Sequence, residues 1–344
     1  MLQERTPQTA AAKTARDWIE TLAHYREPNH WRSIVELAIT VVPLVVLWVL
    51  AWAAMSISYC LTLLFIVPAA GFMVRLFIIQ HDCGHGAFMR GKATNDWIGR
   101  VLGVLTMTPY EVWRRKHAIH HATSGNLDKR GMGDIDTLTV REYQAMTLWQ
   151  RAYYRFYRHP LVLFGIGPGL LFILQHRLPF GFMTGWRYWL SAMGTNIAMA
   201  IVAGPIIYLI GVWPFFAVHV PIIMLASSMG VWLFYVQHQF EETMWAEEPA
   251  WKLHDAALYG SSHYVLPGVL RWFSGNIGIH HVHHLYSRIP YYRLPQVLRD
   301  HPELADVRRL TLRESFACAR FRLWDEVQQR LVSFRDAHRM QPGE

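Results

Sequence analysis

The sequence predicts an all-α integral membrane protein in which four transmembrane helices form two hairpins and a cytosolic helical cap lies over them. Two observations lead to this fold class. Two long apolar runs contain no charged residue, and lysine and arginine collect outside those runs. The chain of 344 residues is 52% hydrophobic and 17% charged, which is too apolar for an ordinary soluble enzyme. We therefore expect a single domain over 1–344 with a membrane anchor and a polar head.

The first hairpin follows from an uncharged run that extends from Leu37 to Val74. A helix needs about 20 residues to cross a bilayer, so this run accommodates two crossings. The turn between them is expected at Met55–Ser58, and we assign residues 33–80 to this hairpin. Residues 1–32 are polar and lack the pattern of a cleaved signal peptide, so we expect an uncleaved, cytosolic N-terminus.

A second uncharged run, from Tyr188 to Phe240, again accommodates two crossings. The segment Gly211–Pro214 interrupts this run and marks the turn, and we assign residues 188–240 to the second hairpin. A further apolar segment, Leu161–Leu174, is too short to span a bilayer. Its glycines and proline favour an interfacial or re-entrant piece.

The basic residues determine the predicted orientation. They crowd the first 32 positions, the stretch from Arg90 to Arg158 and the tail after Lys252, whereas the two hairpin turns carry none. By the positive-inside rule, both termini and the middle segment lie in the cytoplasm. The cytosolic cap is then built from residues 81–187 and 241–344. The net charge of +8 indicates attraction to anionic membrane lipids rather than to nucleic acid, because the basic residues lie beside apolar segments.

Most of the excess among the 19 histidines lies in three short clusters. Histidines three or four positions apart on a helix share one face, so their imidazoles can bind one metal ion. The histidines with this spacing are His81 and His85 in the first cluster, His117, His120 and His121 in the second, and His280, His283 and His284 in the third. His281 falls on another helical face and is not expected to bind metal. Two copies of His-x-x-His-His in one chain indicate metal ligands, whereas a single spaced pair is often accidental.

The predicted topology brings the three clusters to the same side of the membrane. The first and third follow the ends of the two hairpins, and the second lies on the segment between them. His238 ends the fourth crossing at the same depth as His81 ends the second, so we expect His238 to be a further ligand. His254 and His263 match no cluster and are interpreted as structural residues.

Eight or nine imidazoles exceed the needs of one ion, because zinc takes about four ligands and non-haem iron about six. Two ions are therefore expected, and imidazole alone leaves iron, copper, nickel and zinc open. Such a site beside an apolar interior suits oxidation of a hydrophobic substrate by dioxygen. The sequence contains no Ser-His-Asp constellation, nucleotide-binding glycine loop or Cys-x-x-Cys pattern. Electrons are thus expected from a separate protein.

At these clusters the chain resembles the membrane fatty acid desaturase family, and within it the bacterial and cyanobacterial acyl-lipid ω6 (Δ12-type) group. The matching stretches are His81–Gly86, His117–Asp128, Gln237–Glu242, Asp255–Ser262 and Asn276–Pro290. Three residues separate the first two histidines, unlike the usual four of acyl-CoA Δ9 enzymes. The third cluster begins with His280, where front-end desaturases usually have glutamine. No His-Pro-Gly-Gly motif occurs, so no fused cytochrome b5 domain is expected.

The resemblance implies a di-iron site in the cap, dioxygen as co-substrate and a fatty-acyl lipid as substrate. It makes the eight cluster histidines iron ligands and His238 the extra histidine that completes the set. Asn276 becomes a possible outer or water-mediated partner of the site. The implied electron donor is a separate ferredoxin-like, rubredoxin-like or cytochrome b5-like protein. The implied location is a bacterial inner membrane, with the active site and both termini in the cytoplasm.

Two other classes of function stay open at this point. A hydroxylase, ketolase or acetylenase would share the scaffold and the iron site. A haem-binding or metal-transporting membrane protein would instead place histidines or carboxylates inside its spans. Only His219 lies well within a predicted span, which disfavours that second class.

Overall fold

The computed structural model describes residues 14–131, 133–179 and 185–339, and α-helices dominate it. The helices are α1 (Asp17–Leu22), α2 (His30–Ala54), α3 (Tyr59–His85), α4 (Lys92–Leu105), α5 (Tyr110–Thr123), α6 (Val140–Ala145), α7 (Leu148–Tyr157), α8 (Gly167–Ile173), α9 (Trp186–Ile210), α10 (Val212–His238), α11 (Leu253–Tyr259), α12 (Gly268–Phe273), α13 (His280–Leu285), α14 (Leu294–Asp300), α15 (Leu312–Cys318) and α16 (Phe334–Arg339). The strands are β1 (Leu138–Thr139), β2 (His263–Val265), β3 (Arg309–Thr311), β4 (Leu323–Asp325) and β5 (Arg330–Val332).

Within the described residues, four helices are long and apolar enough to cross a membrane, as predicted: α2, α3, α9 and α10, with 25 to 27 residues each. At about 1.5 Å per residue they exceed the roughly 30 Å of a hydrocarbon core. The first pair is joined at the predicted turn, where the Ser58 hydroxyl accepts a hydrogen bond from the Leu61 amide (3.1 Å). The second pair is joined at Gly211, whose φ of 92° lies in the left-handed region that favours glycine.

The helix α3 is the central one of the four candidate spans. It packs against α2 on one side and α10 on another. In its most apolar stretch of 18 residues, 61% of the residues are buried, compared with 0% in the corresponding stretch of α9. The small residues Ala69, Ala70 and Gly71 of α3 are buried, which suits close helix packing in a membrane. Because α3 ends in the first histidine cluster, the most deeply buried of the four candidate spans positions that cluster.

The predicted interfacial segment Leu161–Leu174 forms a π-helical turn, Val162–Ile166, followed by α8. The helical segment Val162–Arg177 and α7 are bent by 49° relative to each other. Taken together, the pair is long and apolar enough to be a broken span or a re-entrant loop. The α7 residues Leu148 and Trp149 are 80% and 86% exposed, as expected for a helix that lies in a membrane interface. The interfacial or re-entrant interpretation stays a prediction.

The described part of the chain also contains five strands of two or three residues each, which the all-α assignment did not predict. The strand β4 pairs in parallel with β1 and antiparallel with β5, and β2 pairs in parallel with β3. Strands this short show no period-two pattern in a sequence. They connect the C-terminal part of the chain, from Arg309 onward, to a segment that follows the second histidine cluster and to a segment that precedes the third.

A buried ion pair joins α2 and α3. Glu36 and Arg75 flank the first uncharged run in sequence, and the turn between α2 and α3 brings their side chains into direct contact. Glu36 is 1% exposed and Arg75 is 2% exposed. Glu36 also accepts hydrogen bonds from Arg32 (2.7 Å) and from the Tyr291 hydroxyl (3.0 Å). The carboxylate is therefore fully partnered, which a buried charge requires.

Replacing Glu36 by glutamine is expected to lower the free energy of unfolding by about 3–5 kcal/mol, because the buried Arg75 charge loses its counter-ion. Thermal unfolding of the purified protein in detergent measures the change. The exposed Glu20 provides the matched control, Glu20→Gln. Equal unfolding temperatures for the two variants would contradict a stabilising role for the pair.

Candidate metal centre

The first histidine cluster lies on the last two turns of α3. The helix continues as far as His85, and Gly86 ends it with a φ of 67°. The second cluster lies on α5, and the third makes up most of the short helix α13. His238 is the last residue of α10. All nine predicted ligands therefore lie on helices. Within each cluster, the three- or four-residue spacing places the histidine side chains on one face of the helix.

Five imidazoles form the first of two groups. Their ligand nitrogens all lie within 4.8 Å of one another, and the residues are His81, His85, His117, His121 and His283. The Nε2 atom of His117 lies 2.9 Å from that of His85 and 3.1 Å from that of His121. The Nε2 atom of His121 lies 3.1 Å from that of His283. All three clusters contribute to this five-histidine group.

The other four imidazoles form the second group. It consists of His120, His238, His280 and His284, again with ligand nitrogens within 4.8 Å of one another. The Nε2 atoms of His238 and His280 are 3.0 Å apart, and those of His120 and His284 are 3.2 Å apart. This four-histidine group adjoins the first, since the rings of His121 and His284 stack with centroids 4.1 Å apart.

The nitrogen separations fit two bound metal ions. An imidazole nitrogen binds a first-row metal at about 2.0–2.1 Å, so two ligands at right angles lie about 3.0 Å apart. The observed Nε2 separations of 2.9 to 3.2 Å match this value. Nine imidazoles are too many for one ion and sufficient for two.

Outer partners hold several rings with their Nε2 atoms directed inward. The Nδ1 atom of His120 contacts the Asp134 carboxylate, and that of His238 lies 3.2 Å from the Gly260 carbonyl. The Nδ1 atom of His81 lies 3.4 Å from the Asp82 carboxylate. Acceptors at Nδ1 place the proton there and leave the Nε2 lone pair free for a metal.

The electrostatic environment keeps three of the clustered imidazoles neutral. Burial, reinforced by neighbouring histidines, holds the pKa of His121, His283 and His284 well below the usual histidine range. A histidine must be deprotonated to bind a metal. These rings are therefore ready to bind at neutral pH without first losing a proton.

His254, His263 and His281, which are predicted not to bind metal, and His219 of the second hairpin lie apart from both groups of nitrogens in the structure. His281 donates to the Leu304 carbonyl (2.9 Å), and His263 in β2 donates to the Ala305 carbonyl. His254 lies on α11, and His219 stacks on Trp48 between the spans α2 and α10. None of the four belongs to either group of nitrogens.

Asn276 is one step removed from the histidines. It has a φ of 56°, and its side-chain amide donates to the Tyr291 carbonyl (3.4 Å). The Tyr291 amide in turn donates to Asp82 (2.7 Å), the neighbour of His81. Asn276 thus connects the loop before the third cluster to the first cluster through Tyr291.

Sequence reasoning did not identify Asp134, which contacts His120 from the loop after α5. The signal available is Gly133, immediately before it, with a φ of 84°. A Cβ atom at Gly133 would lie 2.9 Å from the Lys116 carbonyl, so glycine is what allows the loop to approach α5 closely. A glycine next to an aspartate is common in loops, and alone it does not predict a metal-site partner.

Comparisons with known proteins agree with this site. The family model described as fatty acid desaturase matches residues 58–316, which include all nine histidines. A fatty acid desaturase of Bacillus subtilis is 42% identical over 331 residues, covering 96% of this chain and 93% of that protein.

Two relatives from Synechocystis sp. match at lower identity. An sn-1 acyl-lipid omega-3 desaturase (ferredoxin) is 29% identical over 232 residues, covering 64% of this chain and 61% of that protein. An sn-1 oleoyl-lipid 12-desaturase is 26% identical over 247 residues, covering 69% of this chain and 66% of that protein.

Proposed function

The chain belongs to the fatty acid desaturase family, and from this premise we propose that it desaturates a fatty-acyl chain of a membrane lipid at a histidine-ligated di-iron centre. The observation that carries the proposal is the pair of adjoining nitrogen groups. The five-histidine group would hold one iron, and the four-histidine group would hold the other.

Iron, with dioxygen and two external electrons per turnover, supplies the oxidising power that unactivated methylene groups require. The protein contributes rigid positioning. Asp134 and the Gly260 carbonyl fix the rings of His120 and His238. Trp113 stacks on the ring of His117 with centroids 4.8 Å apart. Ligand rings held in this way would present their nitrogens to two metal ions in a fixed orientation.

The apolar surroundings of the site fit a hydrocarbon substrate. The Phe234 ring lies 5.0 Å from that of His120 and 5.3 Å from that of His238, centroid to centroid. An apolar ring next to these two ligands would help to exclude water from the place where an acyl chain reacts. The two Synechocystis relatives are named for different positions, one as an omega-3 desaturase and one as a 12-desaturase, and of these we propose the ω6 (Δ12-type) position for the new double bond.

A separate electron carrier completes the proposed reaction. The name of one relative specifies ferredoxin as its electron donor, which supports a ferredoxin-like donor here. Rubredoxin-like and cytochrome b5-like proteins would supply the same single electrons.

Expression in a host that makes only monounsaturated lipids tests this function. We expect new diunsaturated fatty acids in its membrane lipids, identified by gas chromatography and mass spectrometry with the double bonds located chemically. Hydroxylated, ketonic or acetylenic products would contradict desaturation while preserving the iron site. A membrane composition equal to that of the empty-vector strain would contradict all four activities.

We further propose that the cap of residues 81–187 and 241–344 lies on the cytoplasmic face of a bacterial inner membrane. The distribution of lysine and arginine supports this orientation. Reporter fusions after Glu344 and within the turn at Ser56 are expected to give opposite signals. Equal signals would contradict the four-span arrangement.

A further inference from the structure

A cavity of about 560 Å³ opens beside the five-histidine group. The end of α3, the start of α4, α5 and the start of α9 form its walls, and His85 lies in the wall. Six basic side chains line it: Arg90, Lys92, Arg114, Arg115, Arg187 and Arg288. Only two acidic side chains, Asp96 and Glu111, oppose them. We call this space the basic cavity.

The two carboxylates hold part of the basic set in place. Asp96 contacts Lys92 (2.6 Å) and Arg114 (2.5 Å), and Glu111 contacts Arg187 (2.9 Å). These ion pairs orient three of the basic side chains around the cavity.

Arg115 and Arg288 have no such counter-ion. Within residues 14–131, 133–179 and 185–339, neither has a carboxylate oxygen within 4.0 Å. The two residues come from distant parts of the sequence, one on α5 and the other after the third histidine cluster, yet both face the same cavity. Two cations that line one cavity without a counter-ion suit the binding of an external anion.

The cavity lies at the ends of two candidate spans. Gly86 directly follows α3, and Arg187 is the second residue of α9. Lipid phosphates lie at this level of a bilayer, and basic side chains beside a span attract them. The volume falls within the roughly 300–1,000 Å³ of small-molecule sites. A concave site of this size suits a compact headgroup better than the broad surface of a docked protein.

We propose that the basic cavity binds the phosphate group of a glycerophospholipid whose acyl chain is the substrate. The inference rests on the proposed function and narrows its substrate class from acyl lipids in general to phospholipids. Arginine forms two parallel hydrogen bonds with a phosphate. Arg115 and Arg288 supply these bonds, and the headgroup is thereby held beside His85, one of the five-histidine group.

The test measures lipid binding without turnover. Native mass spectrometry of the protein in dodecyl maltoside counts retained lipid for dioleoylphosphatidylglycerol and for dioleoyl monogalactosyldiacylglycerol, which has the same chains but no phosphate. The test variant is Arg115→Gln with Arg288→Gln. The control is Arg313→Gln with Arg335→Gln, two exposed arginines outside the cavity that remove the same charge.

We expect the test variant to retain phosphatidylglycerol about tenfold less than the wild type, and the control to match the wild type. Retention of the galactolipid should not change in either variant. Lysine at positions 115 and 288 should restore part of the binding. Because iron and turnover are not needed, the result is independent of whether the desaturase proposal holds.

Three results would overturn the proposal. The first is equal loss of phosphatidylglycerol from the test and control variants, which means general attraction to a basic surface. The second is preferential binding of oleoyl coenzyme A through Arg115 and Arg288, which assigns the cavity to a thioester. The third is unchanged lipid retention with slower reduction by an acidic electron carrier, which assigns the cavity to that protein.

Discussion

Replacing His120 by alanine is expected to abolish desaturation and to deplete bound iron. His120 is fully buried, belongs to the four-histidine group and lies 3.2 Å from His284, Nε2 to Nε2. Loss of an outer hydrogen-bonding partner alone typically costs about 10–100-fold in metal affinity or activity. Loss of the ligand itself should exceed about 100-fold, leaving no product above background. Fatty acid analysis and iron quantification on the purified variant measure both effects.

Two further variants make this result specific. His254→Ala removes a histidine that lies outside both groups and is expected to keep wild-type activity and iron. Asp134→Asn keeps the size of the outer partner but removes its charge, and should give an intermediate loss of about 10–100-fold. Wild-type desaturation by His120→Ala would contradict its role as a ligand. Equal activity in His120→Ala and His254→Ala would do the same.

Replacing His238 by glutamine is expected to remove iron from the four-histidine group and nearly abolish desaturation. Its Nε2 atom lies 3.0 Å from that of His280, and its Nδ1 atom lies 3.2 Å from the Gly260 carbonyl. Glutamine retains much of the size of histidine and can still donate to that carbonyl, but it is a poor iron ligand. The substitution therefore separates metal binding from structural support.

A purely structural His238 predicts a much smaller effect. Loss of one hydrogen bond costs about 0.5–1.5 kcal/mol of stability, with iron retained. Iron per chain, product yield and unfolding temperature together distinguish the two cases. If His238→Gln kept both irons and more than about half of the activity, His238 would leave the ligand set and eight histidines would remain.

The four long apolar helices were predictable because a bilayer crossing requires about 20 uncharged, apolar residues in a row. The uncharged runs Leu37–Val74 and Tyr188–Phe240 correspond to α2 with α3 and to α9 with α10. The residues at which these helices begin and end could not be read from the uncharged runs. The helix α2 begins at His30, where the Asn29 side chain accepts from the Arg32 amide (3.0 Å), and it includes Glu36 because Arg75 neutralises that charge.

The nine histidines were also predictable as a set, since helical spacing places each cluster on one face. Their division between two groups was not. His120 and His121 are adjacent in sequence but belong to different groups, as do His283 and His284. Adjacent helical residues point about 100° apart, so one cluster faces two ions. Which neighbour faces which ion depends on how α3, α5, α10 and α13 meet, and no local pattern encodes that.

The partners around the site were beyond local sequence reasoning for the same reason. Asp134 contacts His120 across a loop, and Gly260 contacts His238 across 22 residues. Arg115 and Arg288 line the basic cavity together, although they lie far apart in the sequence. Such pairs are determined by tertiary packing, whereas spacing along a helix determines only which side chains share a face.

The metal content of the purified, active protein tests the central claim most directly. Elemental analysis combined with Mössbauer spectroscopy of the iron-57 protein should show close to two irons per chain, both in nitrogen-rich coordination, as the two nitrogen groups predict. The iron content should follow desaturase activity as iron is removed and restored. Active protein that holds stoichiometric zinc, or only one iron per chain, would contradict the di-iron assignment.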